Sequence, residues 1–173
     1  MEPSESREAK GTVLLAHWEI MNERCIIMRK DWDTYFMDIA FEVATRSTCP
    51  RRYVGAVVVK DRRIKGTGYN GSASRLPHCI DEGCMVVNNH CIRTIHAEVN
   101  ALLECTPEER QGATIYVTDR PCAECSKLII STGIKKVVYA RDYHIDYDWF
   151  SRAPWVEVVH LADYDNPHAK TGK

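Results

Sequence analysis

The sequence predicts an α/β protein, a three-layer α/β/α sandwich with a central mixed β-sheet. Three observations carry that expectation. Short β-branched runs at 54–60, 64–69, 114–117 and 136–140 alternate with longer stretches whose apolar residues recur at three-to-four spacing. Only Asp61-Arg62-Arg63 separates the first two runs, which makes them an antiparallel hairpin. A helical segment separates the last two, and such crossovers are right-handed and join parallel strands.

The elements follow in order. Residues 1–10 are polar and charged, with Pro3 and two serines, and read as a disordered start. Residues 12–30 suit a helix with Leu14, Trp18, Met21 and Cys25 on one side, a packing or oligomer-contact element that completes an N-terminal extension over 1–30. Asp31 or Asp33 caps a second helix reaching about Thr45, whose stripe of Tyr35, Phe36, Ile39, Ala40 and Val43 belongs to the core. The hairpin comes next and ends at Asn70-Gly71. Residues 72–93 read as one long irregular loop, of a length that is usually functional or held by a metal. A helix over 95–104, a strand over 114–117, a helix over 122–131 closed by Gly133, and a strand over 136–140 complete the βα alternation. Beyond Arg141 come Tyr143, Tyr147, Trp149, Phe150 and Trp155, then an edge strand over 156–161. The main domain is thus 31–162, with 163–173 as a frayed tail.

Composition narrows the function classes. With 173 residues, 45% hydrophobic and 27% charged, the chain suits one soluble domain with a continuous core. A net charge of −1 and a pI near 6.6 give no electrostatic footprint for a polyanion, so small substrates are favoured over nucleic acid. No apolar run is long enough for a membrane span, and Val13 to Ala16 is too short for an export signal, which points to the cytoplasm. In that reducing compartment, eight cysteines indicate thiolate chemistry rather than disulfides.

The chemistry concentrates in His96-Ala97-Glu98 and Pro121-Cys122-Ala123-Glu124-Cys125. His96, Cys122 and Cys125 make three zinc ligands where a structural zinc takes four, leaving one position open for water. Two thiolates offset the charge of the ion, so a protein base is needed, and Glu98 is the unligated carboxylate that can move protons. Both segments fall at predicted loop-to-helix junctions, where helix N-termini favour thiolate over thiol. Cys122 and Cys125, three apart, share a helix face.

The order H-x-E then P-C-x-x-C is the signature of zinc nucleobase deaminases. Three further stretches extend the likeness: Gly68-Tyr69-Asn70-Gly71, the run from Arg93 through Ala101, and the run from Ala113 through Pro121-Cys122-Ala123-Glu124-Cys125 to Gly133-Ile134-Lys135. Over residues 32–142 the chain resembles the deoxycytidylate (dCMP) deaminase family, and most of all its bacterial late-competence branch, which carries a cysteine-rich insert like that between Pro77 and Cys91. The resemblance implies a cytidine-deaminase-like fold and hydrolytic deamination of dCMP to dUMP for thymidylate synthesis. Attack at C4 of the base would be served by Glu98, which protonates N3 and then the departing amino group. The Ala97 N–H would bind the base O2 and Asn70 the sugar hydroxyl. It also implies a homo-oligomer, commonly a hexamer, activated by dCTP with Mg2+ and inhibited by dTTP through a segment including Gly68, Tyr69, Asn70 and Gly71. Residues Ser72 to Pro77 depart from the form found in regulated members. For the 5′-phosphate, Arg51, Arg52, Arg75 and Arg93 stand as unranked candidates.

A second cluster, Cys49, Cys79, Cys84 and Cys91, suits a structural zinc that would hold the loop, with His90 as a variant ligand. Some members of the resembled family carry a second zinc using the Cys49 and Cys79 positions. The competing expectation is a set of reduced, partly buried thiols without metal. Cys25 and Cys105 read as core thiols. Two rival functions stand beside dCMP deamination. One is a deaminase of another base, tRNA adenosine or guanine, against which the Gly68–Gly71 turn and the insert argue. The other is a catalytically silent, zinc-stabilised binding module, which would have no use for Glu98.

Overall fold

The computed structural model describes residues 29–88 and 90–165. The helix expected over 12–30, Cys25 and the tail from 166 lie outside them, apart from Arg29 and Lys30, which are exposed. Contacts divide the chain between Lys30 and Asp31, and the unit beginning at Asp31 carries all that follows. Its elements, in chain order, are helix α1 (Trp32–Ala44), strands β1 (Gly55–Lys60), β2 (Arg63–Tyr69) and β3 (Gly71–Ser72), helix α2 (Cys79–Glu82) and strands β4 (Val86–Val87), β5 (His90–Cys91) and β6 (Thr94–Ile95). Then come helices α3 (Ala97–Leu103) and α4 (Pro107–Arg110), strand β7 (Thr114–Asp119), helix α5 (Ala123–Ser131), strand β8 (Lys136–Arg141), a 3-10 turn (Trp149–Arg152) and strand β9 (Glu157–His160).

The central sheet runs β2-β1-β7-β8-β9. β1 is antiparallel to both β2 and β7, whereas β7, β8 and β9 are parallel, so the sheet is mixed as expected. Asp61 and Arg62 both take positive φ, 52° and 59°, giving a two-residue turn whose twist matches the flanking strands, and Arg63 already belongs to β2. Alternate residues serve opposite faces. Val57, Val59, Tyr116 and Val138 pack on Phe36, Met37 and Phe41 of α1. Ala56, Val58, Ile115, Val117 and Val137 pack on Ala97, Ala101 and Leu102 of α3, Ile129 of α5 and Phe150. Two cores, one on each face, make the three layers.

Asp31 is the cap of α1, its carboxylate accepting from the Thr34 N–H at 2.9 Å and the Thr34 hydroxyl at 2.7 Å. The buried stripe is Phe36, Met37, Ala40, Phe41 and Ala44, rotated by about one residue from the expected one, and Tyr35 is exposed. Gly55 explains the rotation: a Cβ there would run into the backbone of Ala40 and Ala44, so β1 and α1 touch along those two small residues. The 72–93 stretch is less irregular than expected. It holds the single turn α2, ended by Gly83 at φ 84°, and the β4–β5 hairpin. Arg93 ties the stretch together, donating to the Pro77 carbonyl at 3.3 Å and the Glu82 carboxylate at 3.1 Å. At the other end, Tyr164 stacks on Phe41 at 5.2 Å and donates its hydroxyl to Asp38, so packing continues past residue 162.

Gly68 fixes the seating of α3. A Cβ at that position would collide with the backbone of Ala97 and Ala101, and the Asn100 amide donates to the Tyr69 carbonyl at 2.8 Å beside it. Gly68→Val is expected to lift α3 from the sheet, lowering stability by about 1–3 kcal/mol as overpacking does. Denaturant titration measures that loss, and turnover should fall with it because Glu98 rides on α3.

Candidate active site

Two helix N-termini meet here. β6 pairs with β3, so the chain is still extended at Thr94 and Ile95 and the helix begins two residues later than expected, with His96 as the N-cap of α3. Cys122 is likewise the N-cap of α5, whose helical residues begin at Ala123, one later than expected. Neither side chain is spent on capping its own helix, so both are free to turn toward each other. The His96 Nδ1 lies 3.3 Å from the Cys125 Sγ and 3.5 Å from the Cys122 Sγ, and the three donor atoms all fall within 4.8 Å of one another. Ligand atoms around a tetrahedral zinc stand about 3.5–4 Å apart, so the residues present fit that ion.

The protons in this group are contested. A hydrogen bond from Cys125, with another from His96, pulls the Cys122 thiol down to about 3. Bonding to Cys122 and burial push Cys125 the opposite way. The bond to Cys122 raises His96 to about 9. Three donors competing for hydrogen are a site that gains from a shared cation. Glu98, in the first turn of α3, is only 4% exposed; burial pushes its carboxyl up to about 7, with the His96 charge pulling against it.

A cavity of about 340 Å³ opens over this group, its floor formed by His96, Ala97, Glu98 and Cys122. The Ala97 N–H belongs to the first turn of α3, where backbone donors have no helical acceptor. Asn70 also lines the cavity, though most of its amide is engaged. Its Oδ1 accepts from the Ser47 hydroxyl at 2.6 Å and the Val54 N–H at 2.9 Å, and its Nδ2 donates to the Arg52 carbonyl at 2.9 Å. One amide hydrogen is left for a ligand. Of the four arginines considered for a phosphate, Arg51 and Arg52 line the cavity, while Arg75 and Arg93 do not. Asp119, Arg120 and Tyr143 line it as well and were not singled out for it from the sequence. The available signal was adjacency: Asp119-Arg120 runs directly into Pro121-Cys122.

Three of the four cysteines of the second cluster come together. Cys79, Cys84 and Cys91 place their sulfurs within 4.8 Å of one another, with Cys79 and Cys91 at 3.6 Å. Cys49 is buried and lies outside that trio, yet near enough for its charge to raise the Cys84 thiol. His90 does not join the thiols; like Cys91, its partner in β5, and Cys49, it lines the catalytic cavity. Of the turn residues Gly68, Tyr69, Asn70 and Gly71, Gly68 is explained by packing under α3 and Asn70 by the bonds given above. Cys105 is buried in the core as expected.

Residues 30–141 match the model of the cytidine and deoxycytidylate deaminase zinc-binding region. The chain belongs to that deaminase family. Among its relatives is ComE operon protein 2 of Bacillus subtilis, 52% identical over 117 residues, which cover 66% of this chain and 62% of that protein. A deoxycytidylate deaminase of Mycobacterium phage D29 is 47% identical over 126 residues, 66% of this chain and 98% of the phage enzyme. Among solved structures, the dCMP deaminase of cyanophage S-TIM5 in complex with dCMP and dUMP superposes with a TM-score of 0.65 at 30% identity, over 78% of this chain and 99% of that one. The chain therefore spans nearly the whole of these two phage deaminases and under two thirds of the Bacillus protein. Among the described residues, no helix of this family member is long and apolar enough to cross a membrane.

Proposed function

We propose that the protein hydrolyses dCMP to dUMP and ammonia. The observation that carries this reading is the buried Glu98 carboxylate facing a cavity beside three converging zinc donors, with Arg51, Arg52 and Arg120 on the same cavity wall. Zinc held by His96, Cys122 and Cys125 would supply a Lewis acid that lowers the pKa of water. Glu98 takes one proton from the attacking water as its oxygen bonds to C4 of the base and delivers it to N3. It then takes the second proton from the new C4 hydroxyl and delivers it to the amino nitrogen, which leaves as ammonia as the C4–N bond breaks and the C4 carbonyl forms. The Ala97 N–H holds the base O2, and the remaining Asn70 amide hydrogen serves the sugar. Arginines on the wall suit a phosphate, since a guanidinium pairs with its oxygens in a fork. A panel of dCMP, CMP, cytidine and guanine tests the reading: turnover of dCMP above the others supports it, and a preference for guanine or an inert protein overturns it.

The trio of Cys79, Cys84 and Cys91 supports a structural zinc, with Cys49 as the nearest further thiol. Freshly purified, reduced protein should then hold near two zinc per chain, and Cys79→Ala should bring elemental analysis towards one. One zinc per chain in the unaltered protein would make these plain thiols. The seven free cysteines among the described residues fit a reducing cytoplasm. Control by dCTP with Mg2+ and by dTTP in a homo-oligomer, a hexamer in the form the resemblance implies, rests on the retained Gly68–Gly71 turn. Regulation of that kind lowers the half-saturating dCMP concentration when dCTP is added; a hyperbolic curve that neither nucleotide moves would exclude it.

A further inference from the structure

Asp119 ends β7 three residues before the ligand Cys122 and is 4% exposed. Each of its oxygens takes a guanidinium. Oδ2 accepts from the Arg52 Nε at 2.7 Å and Oδ1 from the Arg141 Nε at 2.6 Å. One negative charge thus serves two positive ones, and the trio keeps a net charge of +1.

The two arginines are used differently. Arg141 turns away from the cavity, donating through Nη2 to the Tyr53 carbonyl at 2.8 Å and lying 5.3 Å from the Phe41 ring centroid. Arg52 lines the cavity with Asp119 and Tyr143. Its guanidinium sits 4.7 Å from the Tyr143 ring centroid, and its Nη2 makes only a long 3.4 Å contact with the Asp142 carbonyl. Fixed at Nε by a buried carboxylate and backed by a ring, the Arg52 head is held in place before any ligand arrives. An arginine held in that way loses little freedom on binding an anion.

We propose that Asp119 is a positioning residue for nucleotide selectivity. It fixes the Arg52 guanidinium on the cavity wall, where a substrate 5′-phosphate meets it, and Arg141 prevents Asp119 from cancelling the charge it positions. The inference rests on the dCMP reading and adds to it the means of preferring a monophosphate to a nucleoside.

The test compares kcat/KM for dCMP and for deoxycytidine in the full, zinc-loaded chain. Asp119→Asn should lower the ratio of the two about tenfold or more, through KM for dCMP, as loss of a charge-assisted contact does. Arg52→Gln should lower it to a similar degree, and the double variant no further than either single one, because both act through one guanidinium. Asp119→Glu should recover part of the ratio. Calorimetry with the product provides a readout independent of turnover: Asp119→Asn should weaken dUMP and leave deoxyuridine unchanged. Equal losses on nucleotide and nucleoside, or single effects that add in the double variant, overturn the proposal. Should Asp119→Asn fail to fold, Arg52→Lys keeps a charge without the Nε contact, and an unchanged ratio there overturns it too. If the unaltered protein turned over no dCMP, the functional reading would fall, and binding of dUMP against deoxyuridine would still decide this inference.

Discussion

Glu98→Gln is expected to keep its zinc and its fold and to lose dCMP turnover by about 10²–10⁴-fold, the range that general acid–base catalysis supplies. The reason lies in what the side chain does not do. The three donors that converge are His96, Cys122 and Cys125, so removing the Glu98 charge takes no ligand from the metal. Glutamine has nearly the same shape, and the site is buried, where a neutral amide is cheaper to hold than a carboxylate. What vanishes is the capacity to accept protons from the attacking water and its C4 hydroxyl and to return them in turn to N3 and to the leaving amine. Metal analysis, a thermal melt and an ammonia-release assay on one preparation decide it. Substantial dCMP turnover in zinc-replete Glu98→Gln protein would sink the mechanism.

Cys122→Ser and His96→Ala should lose one zinc equivalent per chain and, with it, all measurable activity. Cys122 is the more informative of the pair. It stands at the N-cap of α5, where serine is among the preferred residues, so the substitution leaves the helix start sound while exchanging a thiolate for a hydroxyl that stays protonated. Loss of metal in Cys122→Ser therefore reports ligation rather than unfolding. His96→Ala removes the donor whose Nδ1 approaches both sulfurs and leaves the insert thiols untouched. If either variant kept its full zinc and its rate, the ligand assignment would be wrong.

Much of this site could be read from the chain because its parts are local. His96, Ala97 and Glu98 are consecutive, Cys122 and Cys125 lie one helical turn apart, and a helix start fixes the directions of side chains so close in sequence. The same holds for the Asp31 cap, the two-residue turn at Asp61-Arg62 and Gly133, whose φ of 81° follows the end of α5. These are set within a few residues by backbone geometry.

Other features were decided only when distant segments packed. The face of α1 turned by about one residue because Gly55 brings the backbone of β1 against Ala40 and Ala44. Tyr164 joined the core because Phe41 offered a ring on which to stack. Cys49, on the segment between α1 and β1, stayed outside the thiol trio, and His90, on the β4–β5 hairpin, came to line the cavity, because the folded chain brought those distant segments to one place. The cavity wall is the clearest instance. Asp119, Arg52 and Arg141 are 67 and 22 residues apart in the chain, and no periodicity links them. By itself the sequence determined the candidate reacting groups, whose geometry is local; the tertiary structure decided which arginine a buried carboxylate would hold on the cavity wall, since long-range pairing follows from how the strands pack.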